Sequence, residues 1–225
     1  MEDKERCTRS GCDITFNWSP IQGYAVPLQH SEEELIYLAA KICHGGTYKD
    51  NFIVKYPIWT EEKKRRLFKF LLEHKHMKPF DFGTITFEIC CPIFVERQLR
   101  VYRTATIIER SLRSCPPMEF DYMTDPFAGC EVENKEAFIT YKKLIDEKEH
   151  RELARRVLPL STFTRVLFSI NIRNLLHVFE ERLTEQAQLE TRLYCQSMWH
   201  SFEDLFPTVA SVFKELNPNL LYGEN

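Results

Sequence analysis

Residues 84–103 read TITFEICCPIFVERQLRVYR, and the change of period inside this stretch decides the fold class. In Thr84–Ile89 the apolar Ile85, Phe87 and Ile89 alternate with Thr84, Thr86 and Glu88. A period of two belongs to a strand with one face buried. Pro92 then suits the first position of a helix, because its missing N–H is one that a helix start leaves unpaired anyway. The spacing therefore predicts a helix over PIFVERQLRVYR. Strand followed by helix makes the chain α+β.

The flanking sequence is mostly helical in pattern. Upstream, Thr60 opens TEEKKRRLFKFLLEH, acidic in its first turn and basic later, which suits the helix dipole. Before it, Ser31 and Glu34 read as a capping box opening SEEELIYLAAKIC. Leu35, Leu38, Ala39 and Ile42 would share its apolar face, and His44-Gly45-Gly46 would end it. Downstream, TATIIERSLRS predicts a loop or short strand, and residues 115–132, with paired prolines, Asp125-Pro126 and Gly129, predict a connecting loop. Helical patterns follow in NKEAFITYKKLIDEKEH and RELARRVL. A broken segment from Pro159 to Ser169 separates these from INIRNLLHVFEERL and TEQAQLETRLYCQSMWHSFEDLF, the last capped by Thr184. The expected architecture is an α/β sandwich-type α+β domain over 31–225, mostly helical with a small sheet. Residues 1–30, without sustained period, read as an N-terminal extension.

Composition bounds what such a domain can do. The 225 residues are 44% apolar and 28% charged, with a net charge of −3. One domain, or at most two small ones, accounts for that length. The slightly acidic balance argues against a protein that coats nucleic acid. No apolar run approaches the about 18 residues of a membrane span. The opening MEDKERCTRSGC lacks the apolar centre of a signal peptide. A soluble cytoplasmic protein is expected, with neither nucleic acid nor membrane as partner. The eight cysteines lack the closely spaced pairs of a zinc site and lie outside an evident oxidising context. They read mostly as buried free thiols, with no metal bound.

The average charge conceals two concentrations. Arg97, Arg100, Arg103, Arg110 and Arg113 stand together with Glu109 as the sole acid, and Arg151, Arg155, Arg156, Arg165 and Arg173 follow with Glu152. Solvated helix faces are the ordinary reading of such runs. Here the arginines are interleaved with apolar residues and meet helix ends or loops, where small phosphorylated ligands bind.

Within the first run, QLRVYRTATIIERSLR (residues 98–113) resembles the signature of the flavin-dependent thymidylate synthases, Q-x-x-R-H-R-x-x-S-x-N-E-x-S-x-R. Gln98, Arg103, Glu109, Ser111 and Arg113 match in register, and Thr106 stands for a serine. Val101, Tyr102 and Ile108 depart from it, standing where Arg, His and Asn are usual. Upstream, HMKPFDF (76–82) is similar to that family's H-E-[ST]-P-[FL]-E-H. Downstream, its Arg ahead of V-L-P, its N-x-R and its Arg before A-Q-x-E fall on Arg155, on Asn171 with Arg173, and on Arg182. The similarity spans roughly residues 31–206.

The resemblance implies a homotetramer with shared flavin sites. FAD, reduced by NADPH, would drive C5 methylation of dUMP with methylenetetrahydrofolate as one-carbon donor and no enzyme nucleophile. Arg182 would be catalytic and contact the pyrimidine, an always-cationic group stabilising negative charge as the C5–C6 bond is polarised. A surface pair between Arg182 and Glu181 or a neighbour is the competing reading. Gln98, Ser111, Arg113 and Arg155 would hold the nucleotide, chiefly its phosphate; a structural Glu109–Arg113 pair competes for Arg113. No His or Asp context supports Ser111 as a nucleophile. Lys78, Tyr102, Arg103, Glu109, Asn171, Arg173 and His177 would contact FAD, although His177 by itself reads as a satisfied core histidine. Val101 removes a cation from the expected pocket, which Arg100 could supply. Tyr102 could stack on a ring where His would have donated. A UMP or dCMP methylase or hydroxymethylase, or a nucleotide-binding protein that has lost the reaction, are the alternatives these departures raise.

Overall fold

The computed structural model describes residues 23–42, 60–117 and 131–223. The proposed helix stop at His44–Gly46, most of the proposed loop over 115–132, and Cys7, Cys12, Cys43 and Cys130 lie outside the described residues. In chain order the elements are β1 (Tyr24–His30), α1 (Glu33–Ile42), α2 (Glu61–Glu73), a 3-10 turn (Lys78–Asp81), β2 (Thr84–Pro92), α3 (Ile93–Arg100) and β3 (Thr106–Glu109). There follow α4 (Glu131–Asp146), α5 (Arg151–Ala154) with a 3-10 turn (Arg155–Val157), β4 (Phe163–Asn171), α6 (Ile172–Arg182), α7 (Leu189–Leu205) and α8 (Pro207–Leu216). The domain is mostly helical, around one four-stranded sheet of order β1-β2-β4-β3 whose pairs are all antiparallel.

The alternation read in Thr84–Ile89 is real, and the strand runs on to Pro92 with Ile89–Pro92 all buried, so that Pro92 ends the strand and α3 begins one residue later than expected. Ile85, Phe87, Ile89 and Cys91 face the core, beside Val166, Phe168 and Ile170 of β4. Against this face pack Ile36, Phe68, Leu175, Leu176, Phe179, Met198, Trp199, Phe202 and Phe213 from the helices. Each such side chain, fully buried, stabilises the fold by about 1.5–3 kcal/mol. Trp199 meets Phe179 edge-on at 5.2 Å and joins α6 to α7.

Three elements differ from expectation. The broken segment after Pro159 contains β4, a central strand. Leu167 puts an apolar residue on its outer face, 41% exposed, and so blurs the alternation that marks a strand. Tyr24–His30, assigned by its sequence to an extension, is the edge strand β1, hydrogen-bonded to β2. Pro27 is tolerated there because an edge strand need not donate on both sides, and the register shifts between Pro27 and Gln29. Pro207–Leu216, for which no element was expected, is α8, with Pro207 at its start.

Local signals were also overridden by tertiary ones. α1 buries Glu33, Ile36, Tyr37 and Ala40, whereas Leu35 and Ile42 of the expected apolar face are exposed. The rotation follows from Glu33, whose carboxylate accepts Val209 N–H at 2.8 Å and Thr208 Oγ1 at 2.7 Å at the start of α8. Ser31 does not form a capping box. Its N–H donates to Thr84 O at 2.9 Å and its hydroxyl accepts Thr84 N–H at 3.0 Å, tying the β1–α1 corner to β2. Thr184 does not cap α7, which starts at Leu189 after Gln188; Thr184 closes the end of α6 with a weak 3.4 Å bond to Glu181 O. Cys90, Cys91 and Cys195 are buried thiols, while Cys115 is exposed. Among the described residues there is no His/Cys/Asp/Glu group that could hold a metal, and no helix long and apolar enough to cross a membrane.

Candidate active site

α6 is the spine of the candidate site. Asn171 ends β4 opposite Thr84 and is the N-cap of α6, its side-chain oxygen accepting Asn174 N–H at 3.0 Å. Asp81, at the end of the 3-10 turn that leads into β2, gathers three candidates at this end. Asn171 Nδ2 donates to Asp81 Oδ1 at 3.3 Å, while Lys78 Nζ and Arg173 Nη1 lie 3.2 and 3.6 Å from Oδ2. Two cations and an amide around one carboxylate leave spare N–H donors, a set that suits the pyrophosphate of a dinucleotide such as FAD.

Further along α6, residues 173, 177 and 181 recur at intervals of four and so form one exposed stripe. His177 is therefore a surface residue and not the core histidine that an apolar helix face suggested. Its Nε2 lies 3.4 Å from Glu181 Oε1, and its Nδ1 3.8 Å from Glu180 Oε2. Tyr102, just beyond α3 and only 8% exposed, donates its hydroxyl to Glu181 Oε2 at 2.8 Å. Burial, and then this bond, push its phenol well above the usual tyrosine range, so the hydroxyl is a fixed donor. The Arg182 guanidinium lies over the Tyr102 ring, 5.5 Å from its centroid. Arg182 Nε is buried with no hydrogen-bond partner. Cys195 of α7, close enough to feel the Arg182 charge, is nonetheless pushed up to about 12 by burial and is inert as a nucleophile.

A third group surrounds Glu109 on β3. Arg100 Nη2 donates to Glu109 Oε2 at 3.0 Å and also pairs with Glu96, while Thr164 Oγ1 donates to Glu109 Oε1 at 3.1 Å. Glu96 is buried, and desolvation raises its carboxyl pKa against the pull of Arg100. Arg100 is thus committed to two carboxylates and does not supply the cation missing at Val101, which stands 59% exposed. Arg113 pairs with Glu152 and not with Glu109. Ser111 accepts Arg113 N–H at 3.3 Å on its hydroxyl and opens a turn through its carbonyl to Ser114 and Cys115. Arg151 secures the same turn by donating to Ser114 O at 2.8 Å.

Arg103 and Arg155 are exposed, the latter in the 3-10 turn after α5, and Gln98 is half-buried on α3. The structure brings Lys78, Asn171 and Arg173 together, and likewise Tyr102, His177 and Arg182. Glu109 stands with Arg100, and Ser111 with Arg113. Asp81 and Glu181, which organise the first two groups, went unrecognised among the candidates. Asp81 was within reach inside HMKPFDF, and Glu181 on the spacing 173–177–181. The cleft of ≈ 410 Å³ between Pro116–Pro117 and α4 is lined by none of the candidates.

The profile of the family described as "Thymidylate synthase complementing protein" matches residues 27–208. The flavin-dependent thymidylate synthase of Pseudothermotoga lettingae is 30% identical over 203 residues, covering 83% of this chain and 87% of that protein. The enzyme of the same description from Thermus thermophilus is 27% identical over 208 residues, covering 83% and 73%. Among solved structures, a UMP/dUMP methylase PolB from Streptomyces cacaoi bound with 5-Br dUMP has the same fold, with TM-score 0.73 at 21% identity over 86% of this chain and 95% of that one. The same protein bound with 5-Br UMP gives TM-score 0.72, covering 90% and 100%. The family profile spans most of the chain and a relative at 30% identity is covered over most of its length, and the chain belongs to the flavin-dependent thymidylate synthase family.

Proposed function

We propose that the chain is a flavin-dependent methyltransferase acting at C5 of a pyrimidine nucleotide, with dUMP as default substrate. Methylenetetrahydrofolate would supply the carbon, and NADPH the reducing equivalents through FAD. The observation that carries this reading is Arg182: a permanent cation held against an aromatic ring, with a buried Nε–H that no protein group occupies. A donor so placed suits an oxygen or ring nitrogen of the base, where it stabilises charge that develops as the ring is attacked. Ser111, Arg113, Arg155 and Gln98 would hold the nucleotide, chiefly at its phosphate. Lys78, Asn171 and Arg173 would take the flavin phosphates, with Arg103, Glu109, His177 and the Tyr102 ring against the rest of the cofactor. FAD, when bound, supplies the hydride chemistry that the one-carbon unit requires.

The candidates fall in separate groups, with Arg103, Arg155 and His177 exposed. That arrangement supports a site completed by another copy of the chain, and we assign a homotetramer. We read the catalytic unit as a single domain and place the enzyme in the cytoplasm, with neither nucleic acid nor membrane as partner.

A second reading is favoured by one observation. Val101 leaves the pocket without the cation its pattern carries, and Arg100 is engaged elsewhere. The substrate would then be UMP or dCMP, with a methyl or hydroxymethyl product. Incubating the flavin-loaded protein with dUMP, UMP and dCMP separately, and weighing the products, tests both. A methylated dUMP supports the first reading, and product from another nucleotide alone supports the second. Nucleotide binding with no product and no NADPH oxidation would mean the reaction has been lost. A purified protein with no flavin absorbance near about 450 nm, and none gained with added FAD, overturns both.

A further inference from the structure

We infer that Glu181 is a positioning residue that fixes Tyr102 and, through the Tyr102 ring, the Arg182 guanidinium; the inference rests on the role given to Arg182 above. Adjacent residues on a helix point in different directions, so Glu181 and Arg182 are not natural partners. Glu181 instead reaches the chain beyond α3, where its Oε2 accepts the Tyr102 hydroxyl at 2.8 Å. Its Oε1 faces His177 Nε2 at 3.4 Å, and the Tyr102 and His177 rings meet nearly perpendicular, at 88° with 6.2 Å between centroids. The Tyr102 backbone is fixed as well, its N–H donating to Leu99 O at 3.2 Å. The ring is thereby held at its hydroxyl, its edge and its backbone, and it carries Arg182 at 5.5 Å.

Arg182 depends on that ring. Its Nε has no protein acceptor, and the Tyr102 face is the aromatic surface that holds its cation. A ring free to turn about χ1 would carry the guanidinium away from its reacting position, and small misplacements of a reacting group are costly in rate. The Tyr102 hydroxyl, spent on Glu181, is not available to a ligand. Glu181 thus acts on the reaction without touching the substrate, and it compensates for a tyrosine standing where the family signature has histidine.

Four variants of the flavin-loaded enzyme test this: Glu181→Ala, Glu181→Gln, Tyr102→Phe and the double Glu181→Ala/Tyr102→Phe. Glu181→Ala is expected to lower kcat by about tenfold with the nucleotide KM nearly unchanged. Glu181→Gln, which keeps a carbonyl acceptor, should recover most of that loss. Tyr102→Phe should match Glu181→Ala, and the double variant should be no worse than either. An unchanged kcat in Glu181→Ala, no rescue by Gln, or additive losses in the double variant overturn the proposal. A second readout needs no turnover: the Arg182 Nε–Hε resonance of ¹⁵N-labelled, ligand-free protein. Ring current from Tyr102 should shift it in the wild type and in Glu181→Gln, and the shift should collapse in Glu181→Ala. If the wild type methylates no nucleotide, the functional reading fails, while an unmoved resonance in Glu181→Ala sinks the role of Glu181 by itself.

Discussion

Asp81 and Arg173 meet at 3.6 Å across the junction of the 3-10 turn with the start of α6, so that one carboxylate orients the cations proposed to hold the cofactor. Arg173 is half-exposed and backed by the helix start, whereas Lys78 is 83% exposed and makes its 3.2 Å contact largely in solvent. Screening weakens the second more than the first. Arg173→Ala should therefore weaken FAD binding by more than Lys78→Ala, by about tenfold or more for one lost charged hydrogen bond. Titration of the apoprotein with FAD, followed by flavin fluorescence, gives both constants. Equal or reversed losses would overturn this ranking, and an unchanged affinity in Arg173→Ala would remove the N-terminus of α6 from the flavin site.

Arg182→Ala makes a different cut. The Arg182 side chain ends over Tyr102, a full helix length from Asn171, so its removal should leave flavin content unchanged while turnover falls by about a hundredfold or more. Flavin absorbance of the purified variant and product formation under saturating cofactor are the paired measurements. Retained turnover would take the catalytic assignment away from Arg182.

What the sequence disclosed and what it hid have different physical origins. β2 was legible because Ile85, Phe87 and Ile89 all face one core while Thr84, Thr86 and Glu88 between them are less buried. β4 was hidden because Leu167 sits on the outer face, and β1 because Pro27 and an irregular register interrupt it. The apolar face of α1 was misassigned because a buried carboxylate, Glu33, turns the helix toward α8, a long-range demand invisible to local periodicity. In the site, residues that would touch ligands follow from the motif spacing. Residues that hold those residues, Asp81 and Glu181, make their deciding contacts to Asn171 and Tyr102, 90 and 79 positions away in the chain, so their local spacing did not disclose the role.

Thiol reactivity follows from burial. Cys115 is exposed on the turn after Ser111, whereas Cys90, Cys91 and Cys195 are enclosed. Burial raises the Cys195 thiol to about 12 and lifts Cys91 well above the usual range. Since the thiolate is the reactive form, brief alkylation of the native protein at neutral pH should modify Cys115 and spare the other three. Peptide mass mapping reads this directly. Early labelling of Cys195 would mean that the packing around it opens in solution.

The last prediction concerns Glu33, whose carboxylate serves as the cap of α8. Its bond to Val209 N–H satisfies a backbone donor that a helix start otherwise leaves unpaired, and its other oxygen takes the Thr208 hydroxyl. Glu33→Ala should cost about 1–3 kcal/mol, the penalty for leaving a buried donor unsatisfied. Glu33→Gln keeps an acceptor without the charge. Desolvation raises the Glu33 pKa above the usual carboxylate value even though Thr208, Val209 and Lys64 all pull it down. A group whose folded pKa is raised contributes stability that is fully present below its unfolded pKa and is lost as pH rises through the folded one. Wild type and Glu33→Gln should therefore have similar Tm at a pH of about 4 and diverge as pH increases, with Glu33→Gln the more stable near neutrality. Thermal unfolding of both across that range decides it. A wild type that gains on Glu33→Gln with rising pH would show that the cap is better charged than neutral.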